Sequence, residues 1–400
     1  MPQVISTLPS GHGHGAVDRG LATTPRSPLF EGRFGRIFRT LPPAVFAADD
    51  ITSLATAMTA EAEAEITPET EIDDEENFGI PAGYTYLGQF IDHDLTFDPA
   101  SSLDKQNDPN GLVDFRTPRF DLDSVYGRGP SDQPYMYDQE DGTGRRFFLG
   151  RNLTGGVPEK TLTQDLPRLQ RRAVIGDKRN DENVIVSQLH GLFLRFHNRL
   201  CMDSPDASFE EIQRLVRWHY QWIVLFDFLP RIVGRQRVLD VLPHLSSGKS
   251  IFEQPPRRVF FHWHRAPFMP VEFSGAAYRF GHSMVRPDYR LSLKDLPPHT
   301  TKIKGLNGRK LIFAPDPLDG LNGFGEFPSD FGIDWNLFFE THGRRLSPKG
   351  MKKDRIQPAY KLDTSLVSPL GALPEFSKPG TDKPKSPKDP NVLALRNLPT

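Results

Sequence analysis

Apolar residues recur at helical spacing in two long stretches near the middle of the chain. Residues 183–200 carry one apolar stripe, which consists of Val184, Leu189, Leu192, Phe193, Phe196 and Leu200. Residues 208–228 carry a second apolar stripe. Ser208 and Glu211 at the start of this segment are in the positions of a capping box, and Pro230 follows its end. These patterns predict two long helices, the second of which ends near the proline.

Shorter segments with helical spacing or composition lie on both sides of this central region, at residues 53–66, 83–97 and 272–284. Segments rich in Gly, Pro and polar residues separate them, and the chain contains 37 prolines, about twice the usual share. We therefore predict a mainly α fold, large and multi-helical, with long loops and very little β structure. Residues 1–30 are predicted to form a flexible N-terminal arm, and residues 31–400 a single domain.

Composition and charge exclude several classes of protein. The formal net charge is −2, whereas a nucleic-acid-binding domain usually carries a strongly basic face. Cys201 is the single cysteine, which excludes an intramolecular disulfide and a cysteine-based zinc or iron–sulfur site. The chain has no apolar run approaching a membrane span, and its first residues lack the pattern of a signal peptide. We therefore expect no transmembrane segment, and a protein that is cytoplasmic or secreted by a non-classical route.

His93 differs from the other histidines in its surroundings. It lies among apolar residues at helical spacing and is flanked by Asp92 and Asp94. Burying an imidazole and two carboxylates in one helix costs free energy unless those groups are used. His190 and His197, in contrast, lie on the long amphipathic helix and are interpreted as core or helix-surface residues. His93 is therefore the first candidate for a functional histidine.

Four segments together resemble the animal-type haem peroxidases of the peroxidase–cyclooxygenase superfamily, in particular the bacterial, peroxinectin-like branch. They are GQFIDHDLTF, TPRFDLDSVYG, DKRNDE with the following LHGLFLRFHNRL, and AAYRFGHSMV. They occur in the order of the family and cover roughly residues 80–300, with a further similarity at 362–397. The resemblance implies the family's multi-helical fold and a haem b cofactor. It also implies a pocket between the helices at 83–97, 179–200 and 272–284.

The resemblance implies a role for three residues on the distal side of the haem. His93 is the base that takes a proton from one peroxide oxygen and returns it to the other, which suits an imidazole. Arg179 stabilises the negative charge that develops as the O–O bond breaks, because a guanidinium keeps its proton. Gln89, one helical turn before His93, binds distal water or halide through a hydrogen bond.

On the proximal side, the resemblance implies that His282 is the axial ligand of the haem iron. Asn397 accepts a hydrogen bond from this imidazole, and Arg279 contacts a haem propionate. The sequence FFHWH at 260–264 resembles the proximal segment of the cyclooxygenase branch, so His264 is the alternative ligand. The residues around His282 match the peroxidase branches more completely.

Two further sets of residues match functional positions of the family. Asp94, Asp121 and Asp123, with Thr117 and the backbone carbonyl of Arg119, match the ligands of one calcium ion, which prefers oxygen ligands. Asp92 and Glu182 match the carboxylates that form ester bonds to haem methyl groups, which leaves both free and ester-linked haem open. The residue after Glu182 is Asn183, where a sulfonium link would require methionine, so no such link is expected.

The resemblance implies a peroxidase that reduces hydrogen peroxide and oxidises halides or small aromatic and other organic donors through a ferryl intermediate. A fatty-acid dioxygenase of the same superfamily is one alternative. That chemistry uses a tyrosine three residues before the proximal histidine, where this chain has Arg279, or Phe261 if His264 is proximal. A non-catalytic, calcium-stabilised adhesion or matrix protein is another, against which His93 and Arg179 argue. The chain stops at 400, where relatives continue, which leaves open a domain that lacks C-terminal helices.

Overall fold

The computed structural model describes residues 32–38, 40, 46–63, 65–96, 113–114, 116–140, 142–154, 163–258, 268–293, 308–314, 319–349 and 351–372. The predicted arm at 1–30, the alternative ligand His264 and the predicted acceptor Asn397 lie outside these ranges.

Helices make up most of the regular structure in the described residues. The α-helices are α1 (Ala48–Met58), α2 (Gly83–Leu95), α3 (Asp123–Tyr126), α4 (Val184–Asp203), α5 (Phe209–Ile223), α6 (Arg235–Val241), α7 (His244–Ser247) and α8 (Val271–Gly275). Short 3₁₀ helices cover Pro134–Met136, Lys178–Asp181, Ala277–His282, Trp335–Leu337 and Ser368–Ala372. None of the helices within the described ranges has the length and apolar character needed to cross a bilayer.

The β-strands in the described residues form antiparallel pairs of short strands, and a few isolated β-bridges lie outside them. The pairs are β1 (Gly32–Arg33) with β3 (Val113–Asp114), β2 (Glu76–Pro81) with β10 (Pro358–Tyr360), β4 (Asn152–Leu153) with β5 (Thr163–Gln164), β6 (Arg168–Leu169) with β7 (Arg172–Ala173), and β8 (Asp288–Tyr289) with β9 (Lys310–Leu311). The predicted fold class, mainly α with little β, is confirmed.

The second long helix begins as predicted but does not end at the proline. Ser208 and Glu211 form the capping box, each side chain bonding to the other residue's backbone N–H. The chain then stays helical through two π-helical segments, Val224–Phe228 and Pro230–Gly234, before α6. The wider π-helical turns accommodate the missing N–H of Pro230, so the predicted stop at this residue is wrong.

Two other helix predictions are corrected by the structure. The helix predicted at 53–66 lies at Ala48–Met58, because the chain after it is extended and bonds to the 366 region: the N–H of Ala60 donates to the carbonyl of Leu366 at 2.8 Å. The helix predicted at 272–284 is divided into α8 and the 3₁₀ turn Ala277–His282. The division lies at Ala276, whose φ of −126° and ψ of −71° are not helical.

Helix α2 lies at the centre of the core. Its Phe90 ring stacks on Phe193 of α4 with 4.7 Å between centroids, and meets Tyr220 of α5 edge to face at 6.1 Å. All three side chains are buried. Stacked and edge-to-face aromatic pairs of this kind add to the free energy gained from burying apolar area. The packing fixes one side of α2 against α4 and α5, and leaves another side to border a cavity.

Candidate active site

A cavity of about 230 Å³ lies between α2, the start of α4 and the 3₁₀ turn Ala277–His282. These are the three segments between which the sequence predicts the pocket. The polar side chains at its wall include those of Gln89, Asp92, His93, Glu182, Asn183, Arg279 and His282. Most of the remaining wall is aromatic or aliphatic, with Tyr84, Tyr86, Phe228, Tyr278, Phe280, Phe313 and Phe324 among the lining residues. The cavity therefore combines an apolar wall with a few polar groups.

His93 is held by a hydrogen bond from behind the cavity wall. Its side chain is buried, and its Nδ1 lies 2.8 Å from Oδ1 of Asn180. Its Nε2 lies 3.6 Å from a carboxylate oxygen of Glu182. Burial, reinforced by the positive charge of Arg179, lowers the pKa of His93 to about 4. The imidazole is therefore neutral at pH 7 and able to accept a proton.

Gln89 and Asn183 hold the Glu182 carboxylate in place. The side-chain N–H of Asn183 donates to Oε1 of Gln89 at 3.1 Å, and Nε2 of Gln89 donates to Oε1 of Glu182. Asn183 is itself anchored, because its Oδ1 caps α4 by accepting from the backbone N–H groups of Ile185 and Val186. This chain of bonds orients the Gln89 amide and keeps the carboxylate beside Nε2 of His93.

Arg179 does not border the cavity. Its guanidinium donates to the carbonyl oxygens of His93, at 3.0 Å, and of Thr96, and pairs with Asp177. It thus satisfies carbonyl groups at the C-terminal end of α2, where a helix leaves them without intrahelical partners. The structure places this charge behind His93, and its predicted role towards the breaking O–O bond stays a prediction.

His282 lines the same cavity as His93 from the 3₁₀ turn. Burial, and then the positive charge of Arg279, lower the pKa of His282 to about 4, so this imidazole is also neutral. Its ring has no hydrogen-bond partner among the residues that the structure describes. Arg279 lies nearby, with Nη1 3.9 Å from a carboxylate oxygen of Asp92 and Nε donating to the carbonyl of Ser274 at 2.9 Å.

The residues around the cavity fit a haem. A histidine that binds iron must be neutral, and the lowered pKa values of His93 and His282 favour the neutral form of both at pH 7. The aromatic wall suits an apolar macrocycle, and Arg279 offers a positive charge to propionates. Asp92 and Glu182, the two carboxylates predicted to form esters, both border the cavity.

The three acidic residues predicted to bind calcium, all within the described ranges, lie near the end of α2 without forming a common metal-binding group. The buried carboxylate of Asp94 accepts the backbone N–H groups of Leu122 and Ser124 at 3.1 and 3.2 Å. Burial and the neighbouring charges of Asp121 and Asp123 raise the pKa of Asp94 well above its usual range. Asp121 accepts the Thr117 hydroxyl at 2.7 Å. In the described part of the chain, no three Asp, Glu, His or Cys side chains converge as a metal-binding group.

Sequence reasoning missed the residues behind His93. The 2.9 Å bond from Nδ2 of Asn180 to Nδ1 of His190 extends the contact of His93 into the core. Arg116 is buried between Asp123 at 2.7 Å and Asp177 at 2.6 Å, and so joins the acidic loop at residues 117–123 to the segment that carries Arg179. The only sequence signal was the position of Asn180 directly after Arg179.

Comparison with known proteins shows the family to which the chain is similar. A family model described as animal haem peroxidase matches residues 46–328. The chain is 28% identical to chorion peroxidase of Aedes aegypti over 154 residues, 36% of this chain and 18% of that protein. It is 25% identical to thyroid peroxidase of Mus musculus over 242 residues, 56% of this chain and 24% of that protein. The chain thus spans about a quarter or less of the length of these two curated relatives.

The fold is similar to a solved peroxidase. Peroxidase A from Dictyostelium discoideum superposes with a TM-score of 0.56 at 14% identity, covering 97% of this chain and 76% of that one. At this identity the similarity shows the fold alone. The family model, in contrast, matches residues 46–328, which is more than half of the chain. The chain therefore belongs to the animal haem peroxidase family.

Proposed function

We propose that this chain is a haem peroxidase that uses hydrogen peroxide to oxidise halides or small aromatic and other organic donors. The observation that carries the proposal is the pairing of two neutral imidazoles in one cavity. His93 is fixed through Nδ1 by Asn180, and His282 lies on a different element. Haem, when bound, supplies the redox centre that delivers two electrons to the O–O bond.

His93 moves the proton in this proposal. With Nδ1 donating to Asn180, Nε2 carries the lone pair that faces Glu182 and the cavity. Nε2 takes the proton from the attacking oxygen of hydrogen peroxide and gives it to the leaving oxygen, which departs as water, so that no external proton is needed. Gln89 holds Glu182 beside this path, where the two side chains can orient water or peroxide.

His282, Arg279, Asp92 and Glu182 are proposed to hold the haem. His282 is the proposed iron ligand, Arg279 a contact of a propionate, and Asp92 and Glu182 the residues for ester links. Acid–acetone extraction tests the esters, because ester-linked haem stays with the protein whereas free haem enters the solvent. Replacing either carboxylate by its amide, Asp92→Asn or Glu182→Gln, is expected to release part of the haem that the wild type retains.

We also propose one Ca²⁺ bound by Asp94, Thr117, Asp121, Asp123 and the carbonyl oxygen of Arg119. The support is electrostatic: burial and then the charge of Asp123 raise the pKa of Asp121, and a bound cation would remove this repulsion. Chelation with EGTA is then expected to lower the unfolding temperature, and Asp121→Asn to remove most of that response. An equal unfolding temperature with and without calcium would contradict the proposal.

Steady-state turnover of the protein reconstituted with haem and calcium tests the function. We expect peroxide-dependent oxidation of a phenol or halide, and little oxygen uptake with a long-chain fatty acid. Arg279 occupies the position three residues before His282, and the Tyr278 hydroxyl donates to the carbonyl of Gly88 at 3.1 Å. Fatty-acid oxygenation without peroxidase turnover would favour the dioxygenase. The absence of both activities would favour the adhesion or matrix protein.

A further inference from the structure

A buried chain of hydrogen bonds runs from His93 away from the cavity into the core. His93 Nδ1 lies 2.8 Å from Asn180 Oδ1, and Asn180 Nδ2 lies 2.9 Å from Nδ1 of His190. The three residues are exposed by 4%, 0% and 0% of their surface, so water does not compete for these bonds. Burial also lowers the pKa of His190 to about 3, and its imidazole is neutral.

The amide of Asn180 determines which atoms donate and which accept in this series of hydrogen bonds. An amide oxygen only accepts, so the Nδ1 of His93 that faces it must carry the proton. The Nε2 of His93 then carries the lone pair. An amide nitrogen only donates, so Nδ1 of His190 must be unprotonated where it faces Asn180. Turning the amide over would reverse both assignments and place a proton on Nε2 of His93.

Glu182 favours the opposite tautomer of His93. Its carboxylate lies 3.6 Å from Nε2, where it would accept an N–H from that nitrogen. Two features oppose it. The Asn180 bond is shorter, at 2.8 Å, and the Glu182 carboxylate already accepts the N–H of Gln89. The state of His93 therefore depends on an acceptor outside the cavity.

We propose that Asn180 is a positioning residue for peroxide cleavage, which keeps the lone pair of His93 on Nε2, and that His190 fixes the orientation of the Asn180 amide. The inference rests on the proposed function, in which His93 is the base. A neutral amide also leaves the imidazole less basic than a carboxylate partner would, which suits a group that must return its proton.

The test is a set of variants of the haem-reconstituted protein, studied by stopped-flow mixing with hydrogen peroxide. Asn180→Leu removes the acceptor at nearly constant volume. We expect its second-order rate constant with peroxide to fall about 100-fold, within the range of general acid–base effects. The rate constant for donor oxidation and the Soret band are expected to change little. Asn180→Asp keeps an acceptor facing His93, and is expected to recover the peroxide rate to within about tenfold of the wild type.

A double-variant cycle tests the role of His190 and does not depend on the folding of the leucine variant. A carboxylate presents an oxygen on either side, so it has no orientation for His190 to fix. His190→Phe is therefore expected to slow the peroxide reaction about tenfold in the wild type. In the Asn180→Asp background it is expected to have little effect.

Three results would overturn the inference. They are a peroxide rate constant for Asn180→Leu within twofold of the wild type, equal losses in the peroxide and donor rates, and an equal cost of His190→Phe in both backgrounds. The last two would show that the residues act only on structure. Failure of the proposed function is a different result: the wild type itself would not react with peroxide, or His93→Gln would react as fast as the wild type.

Discussion

The two sides of the cavity hold their histidines in different ways. His93 lies in α2, a helix of 13 residues of which 11 are buried, and its ring is bonded to Asn180. His282 ends a 3₁₀ turn of six residues that follows α8, a helix of five. Its ring has no hydrogen-bond partner within the described ranges, and the predicted acceptor Asn397 lies outside them.

The proposed roles of the two sides are consistent with this difference. A base that moves a proton between two oxygens must have a defined tautomer and position before the substrate arrives, and packing in the core provides both. An axial ligand is aligned in part by the bond to its metal, so its position depends less on packing in the core. We therefore expect substitutions on the distal side to affect the reaction with peroxide, and substitutions on the proximal side to affect cofactor retention.

The largest expected effect separates the two histidines directly. His282→Gln is expected to abolish the Soret band and with it the activity, because the iron loses its axial ligand. His93→Gln is expected to keep the Soret band, because His93 is not needed to hold the haem. The measurement is the ratio of Soret to protein absorbance after gel filtration of each reconstituted variant. A normal ratio for His282→Gln would contradict the assignment of His282 as the iron ligand and favour the alternative ligand, His264.

The next effect concerns the ion pairs that anchor the distal side. Arg116→Met removes one buried ion-pair partner from each of Asp123 and Asp177, and breaking such a pair costs about 3–5 kcal/mol of the free energy of unfolding. Although burial alone would raise the pKa of Asp177, Arg179 and Arg116 hold it well below its usual range. Denaturant unfolding measures the loss.

A matched control for this prediction is Arg199→Met, which removes an exposed pair with Asp203 on α4. The control is expected to leave the unfolding midpoint unchanged, because solvent screens the pair. Equal midpoints for Arg116→Met and the wild type would show that the buried network does not anchor the distal segment.

Acidification is expected to destabilise the distal side through its buried histidines. Burial lowers the pKa of His190 to about 3 and of His197 to about 4, against 6.5 for an accessible histidine. The unfolded chain takes up these protons first as the pH falls. The stability that these groups contribute is therefore complete above pH 6.5 and is lost as the pH falls from about 6.5 to about 4 for His197 and to about 3 for His190. Denaturant titrations across this range measure the slope, and His197→Phe is expected to reduce it. An unchanged slope would contradict the assignment.

The smallest effect lies at a hydrogen bond that joins the two sides. The Tyr278 hydroxyl, next to Arg279, donates to the carbonyl of Gly88 in α2 at 3.1 Å. Tyr278→Phe removes this bond at little cost in packing, so a loss of about 1 kcal/mol in the free energy of unfolding is expected. The peroxide rate constant should change less than twofold. A loss of haem comparable with that of His282→Gln would show that the proximal turn depends on this bond.

Sequence patterns predicted the distal side better than the proximal side. Helix α4 and the capping box of α5 follow from local spacing and local side-chain bonds, which the sequence shows directly. The break at Ala276 does not, because the stretch around it has helical spacing throughout. The continuation of the helix through Pro230 depends on π-helical turns, which the local sequence pattern does not predict.

The identity of the candidate residues came from resemblance, whereas their contacts came from the fold. His93 and Asn180 are 87 residues apart, and Arg116 and Asp177 are 61 apart. Pairings over such separations depend on how α2, the acidic loop and the segment before α4 pack together. The sequence therefore indicates only a core or helix-surface role for His190, and its bond to Asn180 is visible only in the folded structure.

The most direct test of the central claim is a stopped-flow comparison of wild type and His93→Gln, both loaded with haem to the same Soret absorbance. The second-order rate constant for the change in the Soret band on mixing with hydrogen peroxide is the quantity measured. The account predicts that the wild type reacts and that the variant is slower by about 10²–10⁴-fold, the usual contribution of a general acid–base group. Equal rate constants for the two proteins would contradict the assignment of His93 as the base.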